Sequence, residues 1–69
     1  MRTELEILLE ERFPIFHKIW IQRTKLNSIC ITLFSNNDYN MLFDYRLSNK
    51  IDFHLCEKMI ENYLNNKIT

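Results

Sequence analysis

No glycine occurs in the 69 residues, and Pro14 is the single proline. Every turn must therefore be made by residues that carry a Cβ, so Asn, Asp and Ser have to supply the conformations that glycine usually provides. Ala and Val are also missing; Ile, Leu, Asn and Lys fill their places, as they do under AT-rich coding. The same absence excludes whole classes of chemistry. Loops that cradle phosphate and the turn of dinucleotide-binding folds need Gly so that backbone N–H groups can approach the anion. A G-x-S-x-G nucleophile elbow cannot be written either.

At 46% hydrophobic and 13% aromatic the composition is that of a folded globule. A chain this short buries only roughly 60% of its unfolded surface, so one domain over residues 1–69 is expected. Nine Lys/Arg balance nine Asp/Glu. Neutrality argues against a general nucleic-acid binder, whose affinity rests on surplus positive charge, and against an acidic DNA mimic. The sequence shows no signal peptide and no apolar run near the roughly 18 residues that would cross a membrane. With Cys30 and Cys56 and no N-x-[ST] sequon, a reduced cytoplasmic setting is expected.

Thr3 with Glu6 three positions on forms a capping box, which opens a helix over residues 3–13. Leu5, Leu8 and Leu9 share its apolar face, with Glu4, Glu6, Glu10 and Glu11 on the others. Pro14 ends it, because the residue before a proline avoids the α region. From Ile15 to Arg23 the period shifts towards two: Ile15, His17, Ile19 and Ile21 point one way, Phe16, Lys18, Trp20 and Gln22 the other. After a polar break at Arg23-Thr24-Lys25, residues 26–34 alternate again. Ser35-Asn36-Asn37-Asp38 is the clearest turn, since Asn tolerates positive φ. Residues 39–47 form a third strand, with Tyr39, Met41, Phe43 and Tyr45 opposite Asn40, Leu42, Asp44 and Arg46. Ser48 or Asn49 then caps a helix over residues 50–65, with Leu55, Cys56, Met59, Ile60, Tyr63 and Leu64 as its stripe. The expected fold is α+β, in the order α-β-β-β-α, a three-stranded antiparallel meander packed against two helices.

The core face of this sheet is expected to hold Ile19, Ile21, Ile29, Ile31, Leu33, Met41, Phe43 and Tyr45. The opposite face then shows Phe16, Trp20, Phe34 and Leu42 among Lys18, Gln22, Thr32, Asp44 and Arg46. That is more apolar than solvent favours, and Trp with Arg is a combination enriched where partners bind. Phe16, Lys18, Trp20, Phe34, Leu42 and Arg46 are the candidate contact residues, with Arg23 and Lys25 as a secondary rim. The alternatives are that Trp20 folds over a strand edge, or that the face pairs with a second copy.

Metal and nucleophile chemistry have no support in the spacing. His54 and Cys56 are two apart on a helix and do not share a face, and neither C-x-x-C nor H-x-x-x-H occurs. Cys56 lies on an apolar stripe, where a buried inert thiol is the ordinary state. Cys30 has no evident base near it in sequence, and Glu10 with Glu11 reads as a solvated helix face. No catalytic residue, metal or cofactor is expected. Charge is unevenly spread instead. Residues 1–11 carry four acids and one base, whereas residues 12–37 carry Arg12, Lys18, Arg23 and Lys25 and no acid. Such polarity steers a partner of opposite sign, or is merely solvated.

The α-β-β-β-α order resembles the double-stranded-RNA-binding domain, which uses its first helix, the loop between its first two strands and a basic start to its last helix. Here the matching places hold an acidic helix, Arg23-Thr24-Lys25, and Ser48-Asn49-Lys50, of which Lys50 alone fits the lysine cluster. The stretch NSICITLFSNNDYNMLFDYRLSN, with its Asn-rich turn and alternation, resembles small phage-encoded inhibitors of the anti-CRISPR type, one of which also runs helix, three-stranded meander, helix. That resemblance implies a small non-enzymatic protein that blocks a host defence protein through a surface patch. The remaining readings are a nucleic-acid binder using the first hairpin and Lys50, and a homo-oligomeric interaction subunit.

Overall fold

The capping box forms: the Thr3 hydroxyl accepts from Glu6 N–H and the Glu6 carboxylate accepts from Thr3 N–H, at 3.2 and 2.9 Å. Helix α1 follows over Glu4–Arg12 and stops at Phe13, ahead of Pro14. Strands β1 (Lys18–Arg23), β2 (Ile29–Ser35) and β3 (Asp38–Asp44) come next, then α2 (Phe53–Ile68). The computed structural model describes residues 3–44 and 50–68, without the side chain of Ile68. The order is α-β-β-β-α, and the sheet is an antiparallel meander, β1-β2-β3.

Both helices lie on one face of the sheet. Leu9, Phe13 and Phe16 from the first segment and Cys56 and Ile60 from α2 close over Ile19, Ile29, Ile31 and Leu33. Removing a large aliphatic side chain from water stabilises by about 1.5–3 kcal/mol, so these few residues carry most of the fold's stability. Arg12 ties the helices together outside the core. Its Nε and Nη2 donate to Glu57 and Glu61, one turn apart on α2, at 3.0 Å each.

Two connections differ from expectation. Positive φ falls on Asn27, at 63°, and Asn36 and Asn37 are both negative. The β1–β2 loop is a turn closed by Asn27 N–H on Thr24 C=O, after which a left-handed Asn27 lets Ser28 C=O accept from Thr24 N–H. The Thr24 hydroxyl holds the loop from inside, accepting from Leu26 and Ser28 N–H. In α2 the start moves from Lys50 to Phe53. The Asp52 carboxylate accepts from Leu55 N–H at 2.9 Å, which makes Asp52 the cap. The expected caps Ser48 and Asn49 lie outside the described residues. The α2 stripe is placed as expected, with Cys56 and Ile60 fully buried and Leu55, Met59, Tyr63 and Leu64 packed around them.

The largest correction concerns β3. Ser35 pairs with Asp38 across a two-residue loop, which sets Leu33 opposite Asn40, Ile31 opposite Leu42 and Ile29 opposite Asp44. Paired residues point to the same side of a sheet, so Leu42 faces the helices, whereas Tyr39, Met41 and Phe43 face away. Met41 and Phe43, expected in the core, are 48% and 44% exposed. Tyr45, the third β3 residue expected in the core, lies outside the described residues. Turn geometry fixes the register, and a one-residue change of phase moves every side chain of the strand to the other face.

Candidate functional site

The face turned away from the helices is built from three short rows. Lys18, Trp20 and Gln22 come from β1, Cys30, Thr32 and Phe34 from β2, and Tyr39, Met41 and Phe43 from β3. None of these strand positions is an acid. The central strand is shielded by its neighbours. Cys30, between Gln22 and Phe43 in register, and Thr32, between Trp20 and Met41, are both buried.

Across this face the aromatic rings form a continuous diagonal. Trp20 meets Phe34 edge-on with centroids 5.1 Å apart, and Phe34 meets its cross-strand partner Tyr39 at 6.0 Å. The Lys18 ammonium sits 4.7 Å from the centre of the Trp20 ring. Trp20 is 40% exposed, so the row is open to a partner and is not folded under an edge. Trp20, Gln22, Thr32, Phe34, Tyr39 and Met41 enclose a shallow, mostly apolar depression of about 230 Å³. Gln22 and the buried Thr32 are the polar residues in its lining.

Of the contact residues expected from sequence, Lys18, Trp20 and Phe34 stand together on this face. Phe16 does not. It precedes β1 in a tight bend, where Phe16 N–H donates to Phe13 C=O, and at 8% exposure it belongs to the core. The strand begins at Lys18, not Ile15, because Pro14 and that bend turn the chain before pairing starts. His17, expected on the core side, is exposed, and its Nε2 contacts the Asn36 side chain. Leu42 is on the helix side and half-buried against the core. Arg46 lies outside the described residues. Arg23 is engaged by the hairpin loop, donating to the Asn27 side chain at 2.9 Å, so it braces the left-handed residue. Lys25 is exposed in that loop. Tyr39, Met41 and Phe43 were missed, although the two-residue spacing between Ser35 and Asp38 was there to reveal them: it makes Phe34 and Tyr39 partners.

Neither thiol is exposed at this face. Both are buried and unpaired with each other. Burial among apolar side chains, with the Asp52 charge nearby as a lesser cause, pushes Cys56 up to about 11. A thiol held so far above its ordinary range carries almost no thiolate near neutrality. Among the described residues no three His, Cys, Asp or Glu side chains come together as a metal ligand set. No helix among them is long and apolar enough to cross a membrane. No family model, curated protein or solved structure matches the chain.

Proposed function

We propose that this protein is a small non-enzymatic binding module that docks on another protein through its open sheet face. In this reading it acts as an inhibitor from a phage or other mobile element, occupying a surface of a host defence protein in the cytoplasm. The observation that carries the reading is the acid-free diagonal of Trp20, Phe34 and Tyr39 with Lys18 over the indole. Exposed aromatics grouped around a shallow depression are the usual energetic centre of a protein interface. The chemistry calls for a partner surface with an apolar side chain to fill the depression and an acid to meet Lys18.

Nucleic acid is the competing ligand, because aromatic rings on an open sheet also stack bases. Charge supply favours protein. Of the four cations between residues 12 and 37, Arg12 is engaged by Glu57 and Glu61 and Arg23 by Asn27. Among the described residues of this sheet face Lys18 is the one cation, little charge with which to release counterions from a phosphate backbone.

The test is affinity capture from a bacterial host lysate with wild type and Trp20→Ala, with and without nuclease, alongside sedimentation of the bait alone. A protein captured despite nuclease and lost with a still-folded Trp20→Ala bears the reading out. Nuclease-sensitive capture indifferent to Trp20→Ala transfers the function to nucleic acid and the basic hairpin. Self-association lost in Trp20→Ala would assign the face to a second copy.

A further inference from the structure

A different part of the molecule carries a separate inference. β1 is an edge strand, and the backbone N–H groups of Ile19 and Ile21 point away from β2. Such an edge is where another strand adds. Here a helix has taken that place. Glu10 Oε2 accepts from Ile19 N–H at 2.8 Å, and Glu6 Oε2 accepts from Ile21 N–H at 2.8 Å. The distances match because side chains four apart on a helix are separated by about 6 Å along its axis. Alternate N–H groups on a strand lie about 6.8 Å apart. The partners also run in reverse order, Glu6 on Ile21 and Glu10 on Ile19, as they would between antiparallel strands. Glu6 does this while buried, with its second oxygen accepting from Thr3 N–H, so one side chain both caps α1 and holds β1.

The strand held this way is prone to pairing. Lys18-Ile19-Trp20-Ile21-Gln22-Arg23 has β-branched and aromatic residues at its centre and no acid. It is also self-complementary. An antiparallel pair of two copies centred on Trp20 would set Ile19 opposite Ile21 and Lys18 opposite Gln22, with no like charges face to face across those positions. We propose that α1 serves as a surrogate fourth strand, with Glu6 and Glu10 in the acceptor positions of a neighbouring chain, and that this clamp keeps the β1 edge from pairing with the β1 edge of a second copy.

Amide exchange by NMR and sedimentation velocity on Glu10→Ala and on the Glu6→Ala, Glu10→Ala double variant test this. Exchange at Ile19 is expected to quicken about tenfold or more in Glu10→Ala, as an N–H loses a charged acceptor, while the Trp20 amide, which faces β2, stays protected. The double variant is expected to sediment as a larger species than wild type, and Glu10→Gln, which keeps an acceptor of the same length, to recover most of the Ile19 protection. Glu10→Ala leaves the capping box intact, so it carries both measurements if the double variant fails to fold. Equal acceleration at Ile19 and Trp20 would mean general loosening and would overturn the clamp. Unchanged exchange at Ile19 would overturn it as well, and sedimentation identical to wild type would overturn the guarding role.

Discussion

The two faces of the sheet are made by the same three strands, yet they are built from different materials. The side beneath the helices is aliphatic, with Ile19, Ile29, Ile31 and Leu33 fully buried. The other side is aromatic and open, with Trp20, Tyr39, Met41 and Phe43 all substantially exposed. Branched aliphatics fill a closed space in few rotamers, which suits a core that has no material to spare. Rings offer broad, stiff surfaces that lose little entropy when covered, which suits contact with something else. Side-chain loss on one face is therefore expected to show in stability, and on the other in binding.

The strongest way to break this contrast is Ile31→Ala, at the centre of the middle strand. Its expected cost is about 3–5 kcal/mol in urea denaturation, comparable to the whole stability of a chain this short. A cost below about 1 kcal/mol would mean that the helices do not close over this face. A matched pair then tests the phase of β3. Leu42→Ala is expected to cost about 2 kcal/mol and its neighbour Met41→Ala less than about 1 kcal/mol. The reverse order would place Met41 in the core and dissolve the aromatic face.

Trp20→Ala sharpens the comparison from the other side. Loss of its ring contacts is expected to cost about 1 kcal/mol of stability, whereas partner affinity falls about thirtyfold or more. Arg12→Ala, which touches neither face, is expected to cost no more than about 1 kcal/mol and to matter less in high salt, as exposed ion pairs do. Cys56 adds a dependence on pH that neither face shares. In the unfolded chain its thiol ionises near its ordinary value of 9.0, and in the folded chain burial pushes it up to about 11. Between those values the unfolded chain gives up the proton first, so stability falls as pH rises through that window and levels off above it. Thermal melts from pH 8 to 11 on wild type and Cys56→Ser would show the slope diminished in the variant.

Much of this was legible beforehand, and the failures share a cause. The capping box, Pro14 as a stop, and the α2 stripe each depend on residues within one or two turns of each other, and each appears where its local pattern puts it. Phe16 departs from the expected face because alternation does not extend back through the bend at residues 14–17, where Phe16 N–H bonds back to Phe13 C=O. Met41, Phe43 and Leu42 were misplaced because β3 was judged by its own apolar residues, although its face is set by its neighbour through the Asn36-Asn37 turn. By sequence Glu6 reads as half of the capping box and Glu10 as part of a solvated helix face, with nothing to link either to β1. Their role requires knowing which strand α1 lies beside, and nothing within α1 carries that information.

The sequence by itself determined the order of elements, the capping box of α1 and the exclusion of glycine-dependent motifs, because each rests on short-range sterics or hydrogen bonding. Tertiary structure alone decided which face of the strands the helices cover and that an acidic helix closes the edge of β1. Both depend on packing between separate elements, which no single element's own pattern specifies. There the gain from burying Ile19, Ile31 and Leu33 together outweighs the preference of any single strand for its own most apolar face.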